Sequence, residues 1–230
     1  MADGLKIAAA APGAPRVAII DYEAGNLFSV QHACATVGLD PVITSDPAVI
    51  AASAAAILPG VGAFGEAMSH LTRLGLATPI ADFVASGRPF LGICLGLQLL
   101  FSESEEFGRH AGLGLVPGKV VRFAATDPAG APVRVPHIGW NQIVPATTHR
   151  QGWADTPLRG ITEGEYLYFV HSYYVVPSHA EDVLCVARYG GREFCAGIQR
   201  GNLLALQFHP EKSAHQGLRI YRDWPDGIGR

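Results

Sequence analysis

Charged side chains are scarce in this chain: Asp, Glu, Lys and Arg make up 16% of its 230 residues, against about a quarter in an average soluble domain. A net charge of -3 gives no electrostatic reason to expect nucleic acid or an anionic membrane as partner. No apolar run approaches the roughly 18–20 residues that a membrane-spanning helix needs, so none is expected. The four cysteines at 34, 94, 185 and 195 contain no Cys-x-x-Cys pair and no zinc-type histidine spacing, so neither a metal nor another cofactor is expected. Cys34, Cys185 and Cys195 lie among apolar neighbours and read as small buried hydrophobes rather than disulfide partners. The Ala/Pro-rich stretch Met1–Pro15 has no sustained apolar core, so it reads as a flexible extension rather than a signal peptide, with a cytoplasmic location expected.

What is plentiful is apolar material and glycine: 49% hydrophobic residues and 27 glycines indicate a compact globule. The length allows one α/β domain, read here over 16–224, followed by a tail over 225–230. Arg16–Tyr22 reads as a buried strand, and Leu27, Val30, Cys34 and Val37 recur at helical spacing before Gly38. Pro41–Thr44 reads as a second strand, Asp46-Pro47 as the start of a short helix, and Ala54–Leu58 as a third strand. That alternation predicts a mostly parallel, mixed central sheet with helices on both faces. Beyond the acidic stretch Glu103–Glu106, read as a solvated loop, short strand-like runs take over. They are Gly118–Phe123, Val133–Val135, Gln142–Val144, Tyr166–Val176, Val183–Tyr189 and Phe194–Ile198. They predict a smaller antiparallel extension, closed by Leu203–Phe208 and a helix from about Ser213 to Trp224.

The chain is organised around Gly92-Ile93-Cys94-Leu95-Gly96, which follows the apolar Pro89-Phe90-Leu91 and opens the helix-prone Leu97–Phe101. Gly-x-Cys-x-Gly is the cysteine counterpart of a nucleophile elbow, in which glycines make room for a sharp strand-to-helix turn. Cys94 would sit at a helix N-terminus, where free N–H groups and the helix dipole favour an anion. The alternative is a cysteine packed between glycines without chemistry. A base is available in His209-Pro210-Glu211, at the end of the run Leu203–Phe208. In extended chain, positions two apart share a face, so Glu211 could hold one ring nitrogen of His209 while the other meets Cys94. Otherwise His209 caps a strand and Glu211 is a surface charge. At the end of the third strand, Pro59-Gly60-Val61-Gly62 is either a tight turn or a loop that presents backbone N–H groups to a ligand.

Together with Ile20-Asp21-Tyr22, Gly25-Asn26-Leu27, Gly112-Leu113-Gly114, Pro136–Asn141 and Tyr168–Tyr173, these motifs resemble the class I (triad-type) glutamine amidotransferases. Within that family the likeness is greatest to glutaminase subunits of imidazole glycerol phosphate synthase, and it covers roughly residues 16–224. The resemblance implies that glutamine is hydrolysed to glutamate and ammonia by Cys94, His209 and Glu211, in histidine biosynthesis. It implies an oxyanion hole from Val61, Gly62 and Leu95, set unfavourably until a partner engages. It also implies substrate contacts from Gly60, Gln98, Ser172 and Tyr173, although Gln98 could instead be an exposed helix residue. The implied partner is a barrel-type cyclase subunit in a heterodimer, with His137, Trp140 and Asn141 as interface or ammonia gate. Those three otherwise read as a turn with a half-buried Trp. The rivals are another amidotransferase, a cysteine peptidase of related fold, or a non-catalytic binding subunit.

Overall fold

The computed structural model describes residues 11, 13–149 and 152–226. Most of the expected N-terminal extension, and the tail beyond 226, lie outside the described residues. The first half alternates as its apolar pattern dictates: β1 (Arg16–Ile20), α1 (Leu27–Thr36), β2 (Asp40–Thr44), α2 (Pro47–Ala52) and β3 (Ala55–Leu58). Two helices, α3 (Phe64–Arg73) and α4 (Ala77–Ala85), lead to β4 (Phe90–Ile93) and the short α5 (Leu95–Leu99). Helix α2 begins as its residues predict, with Pro47 in the first turn and the Asp46 carboxylate accepting from Ala48 N–H.

In the second half come β5 (Phe101–Ser104), β6 (His110–Ala111), β7 (Val116–Arg122), β8 (His137–Gln142), β9 (Val144–Pro145), β10 (Tyr166–His171) and β11 (Tyr173–Pro177). The chain closes with β12 (Val183–Tyr189), β13 (Arg192–Arg200), β14 (Leu203–Leu206) and α6 (Ala214–Asp223). The central sheet runs β2-β1-β3-β4-β14-β13-β12-β9, parallel from β2 to β14 and antiparallel beyond. Strands β11-β7-β5-β6 form a second sheet and β10-β8 a hairpin-like pair. Alternate residues of β1 serve opposite cores. Val17 and Ile19 join Val30 and Cys34 of α1 and Ile220 of α6, while Ala18 and Ile20 join Ile50 of α2, Phe64 of α3 and Ile80 of α4. Helices therefore cover both faces, as expected of strands buried on both sides.

Several local expectations are corrected. Phe101 is in a strand rather than a helix, because Leu113 N–H and Leu115 N–H take the carbonyls of Leu99 and Leu100 and end α5. Tyr166–Val176 is two strands, since the chain leaves β10 at Ser172 to pair β11 with β7, and Ser172 O accepts from Phe123 N–H. Val133–Val135 is no strand. It lies between Pro132 and Pro136, which lack the N–H a ladder needs. The segment from His137 is strand β8 rather than a turn. The acidic stretch is not simply solvated: Glu103 and Ser104 lie in β5, and the Glu106 carboxylate accepts from Phe64 N–H at 2.6 Å, at the start of α3.

Candidate active site

Cys94 joins β4 to α5 with φ 55° and ψ -108°, a left-handed conformation that costs a non-glycine residue energy and recurs at functional sites. Packing enforces it. A Cβ at Gly96 would overlap the Leu58 carbonyl, and one at Gly92 would stand 3.0 Å from Ala205 Cβ and Leu100 Cδ1. Gly96 is thus required by close approach, while at Gly92 the neighbours leave little room for a side chain. The helix beyond is only five residues long, so any dipole it offers Cys94 is small. The Cys94 sulfur is nearly enclosed, with residue exposure of 6%, and faces Val170 O at 3.9 Å and Gln207 Nε2 at 3.7 Å.

His209 arrives through strand pairing. β14 lies parallel to β4 with Leu206 opposite Ile93, and Cys94 N–H donates to Leu206 O at 2.7 Å, so the residues after β14 emerge beside the elbow. His209 is extended, but Pro210–Lys212 turn as a short 3-10 helix. It is this turn, rather than an extended strand, that swings Glu211 onto the ring. Glu211 Oε1 lies 2.8 Å from His209 Nδ1, and both side chains are buried, at 1% and 2% exposure. Ser213 Oγ pins the turn by donating to His209 O at 2.7 Å and accepting from Tyr168 N–H. Gly217 lets α6 approach, since a Cβ there would overlap the Pro210 carbonyl. Burial opposes charge on the imidazole, but the Cys94 sulfur on one side and the Glu211 carboxylate on the other outweigh it and raise the His209 pKa to about 10. Nε2 makes no formed hydrogen bond among the described residues, so the sulfur acts on it through proximity and charge. A strand cap with a solvated glutamate is ruled out by this burial.

The loop after β3 holds the third component. Leu95 N–H donates to Gly60 O at 3.4 Å, so the Gly60 carbonyl occupies the donor nearest the nucleophile. Val61 is 42% exposed, and Gly62 has φ 105° with open space around it. Gly60 is confined instead. A Cβ there would collide with the Tyr22 hydroxyl and stand 2.8 Å from Leu95 Cβ. That hydroxyl is buried without a partner among the described residues, and its pKa is driven upward by burial first and the Cys94 charge second.

Gln98 is buried, which removes the exposed-helix alternative. Its Nε2 donates to Tyr173 O and to Gln207 Oε1, both at 3.0 Å. Tyr173 O also faces His171 Nδ1 at 2.8 Å, while Ser172 sits at the break between β10 and β11. His137 points inward. Its Nδ1 lies 3.0 Å from His171 Nε2, and burial lowers the two pKa values to about 4 and about 3. Asn141 Nδ2 donates to Arg188 O and lies 3.3 Å from His137 Nε2, whereas Trp140 and Ile138 are on the outer face, 52% and 59% exposed. Sequence reasoning missed His171 and Gln207. The available signal was a polar side chain in each of two apolar strand runs that end beside the elbow.

A cysteine at a strand-to-helix elbow, a buried histidine–carboxylate pair and a glycine loop at the carboxyl ends of parallel strands have the make-up of a triad-type acyl-transfer site. The family model "Glutamine amidotransferase class-I" matches residues 4–224, and the chain belongs to that family. Among its relatives, subunit HisH of the imidazole glycerol phosphate synthase of Syntrophotalea carbinolica is 52% identical over 212 residues, 91% of this chain and 99% of that protein. The same subunit from Rhodopirellula baltica is 50% identical over 89% of this chain and 94% of its own length. Of solved structures, PurLQS from Thermotoga maritima aligns with a TM-score of 0.70 at 20% identity, covering 93% of this chain and 98% of the other, a likeness of fold.

Proposed function

We propose that this enzyme is the glutaminase subunit of an imidazole glycerol phosphate synthase in histidine biosynthesis, with Cys94, His209 and Glu211 as its catalytic residues. The buried His209–Glu211 pair beside a strained Cys94 is the observation that carries the assignment of roles. The Cys94 thiolate adds to the glutamine side-chain amide carbon, and the imidazolium of His209 delivers its Nε2 proton to the nitrogen, so that ammonia leaves a thioester behind. The neutral imidazole then takes a proton from water as the water adds to the thioester. Collapse releases glutamate and restores the thiolate. Glu211 keeps the ring oriented and stabilises its charged form.

The oxyanion formed in both halves needs donors at about 2.7–3.1 Å. We assign Leu95 N–H and a backbone N–H from Val61 or Gly62. Support comes from the Leu95 bond to Gly60 O: the Gly60–Val61 peptide must turn over before Leu95 N–H can serve, and the glycines flanking Val61 make that turn inexpensive. In this reading the isolated subunit is slow and its partner sets the peptide. The partner is a barrel-type cyclase subunit in a heterodimer, which receives ammonia and makes imidazole glycerol phosphate and AICAR. Exposed Trp140, Ile138 and Tyr166 on the β8–β10 pair supply the apolar docking area, with Asn141 beside them and His137 behind. Gln98, Ser172, Tyr173 and Gly60 hold the amino-acid head of glutamine. The location is cytoplasmic, in keeping with four unpaired buried cysteines; among the described residues no helix is long and apolar enough to cross a membrane.

The test uses Cys94→Ala in complex with the partner. Glutamine-dependent synthesis falls to background while synthesis from supplied ammonia stays at the wild-type rate. Loss of both, or of neither, overturns the division of labour. Peptide cleavage without glutamine turnover would favour the peptidase reading.

A further inference from the structure

Gln207 is fully buried one residue beyond β14, among leucine, alanine and phenylalanine, and has no part in the mechanism above. Its amide is engaged at both ends: Oε1 accepts from Gln98 Nε2 at 3.0 Å, and Nε2 donates to Cys94 Sγ at 3.7 Å. A backbone atom fixes which end is which. Tyr173 O can only accept, so the group of Gln98 that faces it at 3.0 Å must be the NH2. The second hydrogen of that NH2 goes to Gln207, which must present its oxygen and turn its own NH2 toward the sulfur. The other neighbour of Tyr173 O strengthens the anchor. His171 is kept neutral by burial, and its Nδ1–H donates to the same carbonyl while Nε2 accepts from His137. One continuous set of bonds therefore runs from β8 through the pocket to the nucleophile.

We propose that Gln207 is a positioning residue for the glutaminase reaction, holding the Cys94 sulfur with its N–H and the substrate-facing Gln98 with its carbonyl. The inference rests on the functional reading above. An N–H aimed at sulfur favours the thiolate over the thiol, and an amide supplies it without a proton to lose at any working pH. The other groups facing the sulfur are the Val170 carbonyl at 3.9 Å, which accepts from the thiol and so opposes the Gln207 N–H, the His209 ring and the Tyr22 phenol, with Glu211 behind His209. His171 in turn acts on His209 through space. Gln207 alone among these is an uncharged N–H donor bonded to the substrate pocket at its other end.

Two variants in complex with the synthase partner separate the roles. Gln207→Glu keeps an acceptor for Gln98 but sets an anionic oxygen against the sulfur; Gln207→Met keeps length and neutrality but removes both bonds. In both, kcat for glutamine falls about 10- to 100-fold, while KM stays within about twofold in Q207E and rises about three- to tenfold in Q207M. Alkylation of Cys94 by iodoacetamide at pH 7 slows about tenfold in Q207E and recovers most of that loss at pH 9. A purely structural residue would lower the melting temperature without this division between KM, kcat and alkylation. Both variants within twofold of wild type in kcat and alkylation overturn the proposal. If Q207E does not fold, the kcat and KM of Q207M decide alone. If the wild-type complex turns over no glutamine yet Q207E still slows alkylation, the glutaminase reading fails and the sulfur contact stands.

Discussion

Replacing Glu211 by Gln removes a charge from the most enclosed ion pair of the site. The carboxylate lies 2.8 Å from His209 Nδ1, with both side chains at least 98% buried, so solvent screens the interaction little. A hydrogen bond to a charged group is worth about 1.5–3 kcal/mol, which corresponds to roughly 1–2 pKa units on the imidazole. In the native protein burial pulls the ring toward neutrality, and Cys94 and Glu211 together raise its pKa from 6.5 to about 10. Without the carboxylate the charged ring is lost at lower pH, so the pool of imidazolium that protonates departing ammonia shrinks from the alkaline side. The glutamine pH–rate profile of the E211Q complex should therefore lose its alkaline limb about 1–2 units earlier, with kcat at pH 10 down about 5- to 50-fold and that at pH 8 by no more than about twofold. Glutamine-dependent and ammonia-dependent turnover measured from pH 6 to 10 make the comparison, the second serving as control for the partner. An alkaline limb that stays put, or a loss equal to that of His209→Ala, refutes the orienting and charge-stabilising role.

Gly60→Ala forces a methyl against the Tyr22 hydroxyl and Leu95 Cβ, displacing the loop that carries Val61. Glutamine turnover should fall about 100-fold with ammonia-driven synthesis intact, since one oxyanion donor is worth that much; a loss under threefold would contradict it. Trp140→Ala removes a half-exposed ring from the β8–β10 face. The complex should weaken about 30-fold by titration calorimetry if the ring is a central anchor, and unchanged affinity would move the docking face elsewhere. His137 and His171 have folded pKa values of about 4 and about 3, below the unfolded 6.5. The unfolded chain thus binds protons that the fold refuses, and the stability these rings contribute is present above pH 6.5 and drains away as pH falls toward 4. Scanning calorimetry should find a shallower fall of Tm over that window in His171→Gln, and identical slopes would dismiss the pair as a source of acid sensitivity. His209 works in the opposite sense, its contribution being present below pH 6.5 and lost as pH rises through about 10.

The parallel half was legible because each strand there is an apolar run bounded by turn residues, and Asp46-Pro47 and Gly38 mark helix ends by their backbone chemistry alone. The elbow was legible for a different reason: Gly96 is demanded by the Leu58 carbonyl and Gly92 is crowded by Ala205, and such crowding leaves a local pattern in the chain. Less could be read where long-range bonds override local preference. Leu97–Phe101 has helical propensity throughout, yet chain arriving from Leu113 and Leu115 captures the carbonyls and turns Phe101 into a strand. Tyr166–Val176 is uniformly strand-like, and only pairing with two different partners divides it. His209 and Glu211 were found by a correct spacing and an incorrect conformation, since the 3-10 turn meets the same requirement as an extended strand. Gln207 carries no recognisable spacing, because its partners lie more than a hundred residues earlier in the chain.

The adjacency of β4 and β14 has a bearing on how such a protein can change over generations. The approach of His209 to Cys94 begins at one rung of the ladder, the Cys94 N–H bond to the Leu206 carbonyl, and is completed by bonds from His209 N–H to Tyr168 O and from Tyr168 N–H to Ser213 Oγ. Of the stretch from β5 to β13, β10 and the start of β11 return to the site, where Tyr168, Val170 and Tyr173 make their bonds. Loops away from those strands can lengthen, shorten or acquire new contacts without moving these bonds, leaving the outer surface open to remodelling for whichever partner is to be met.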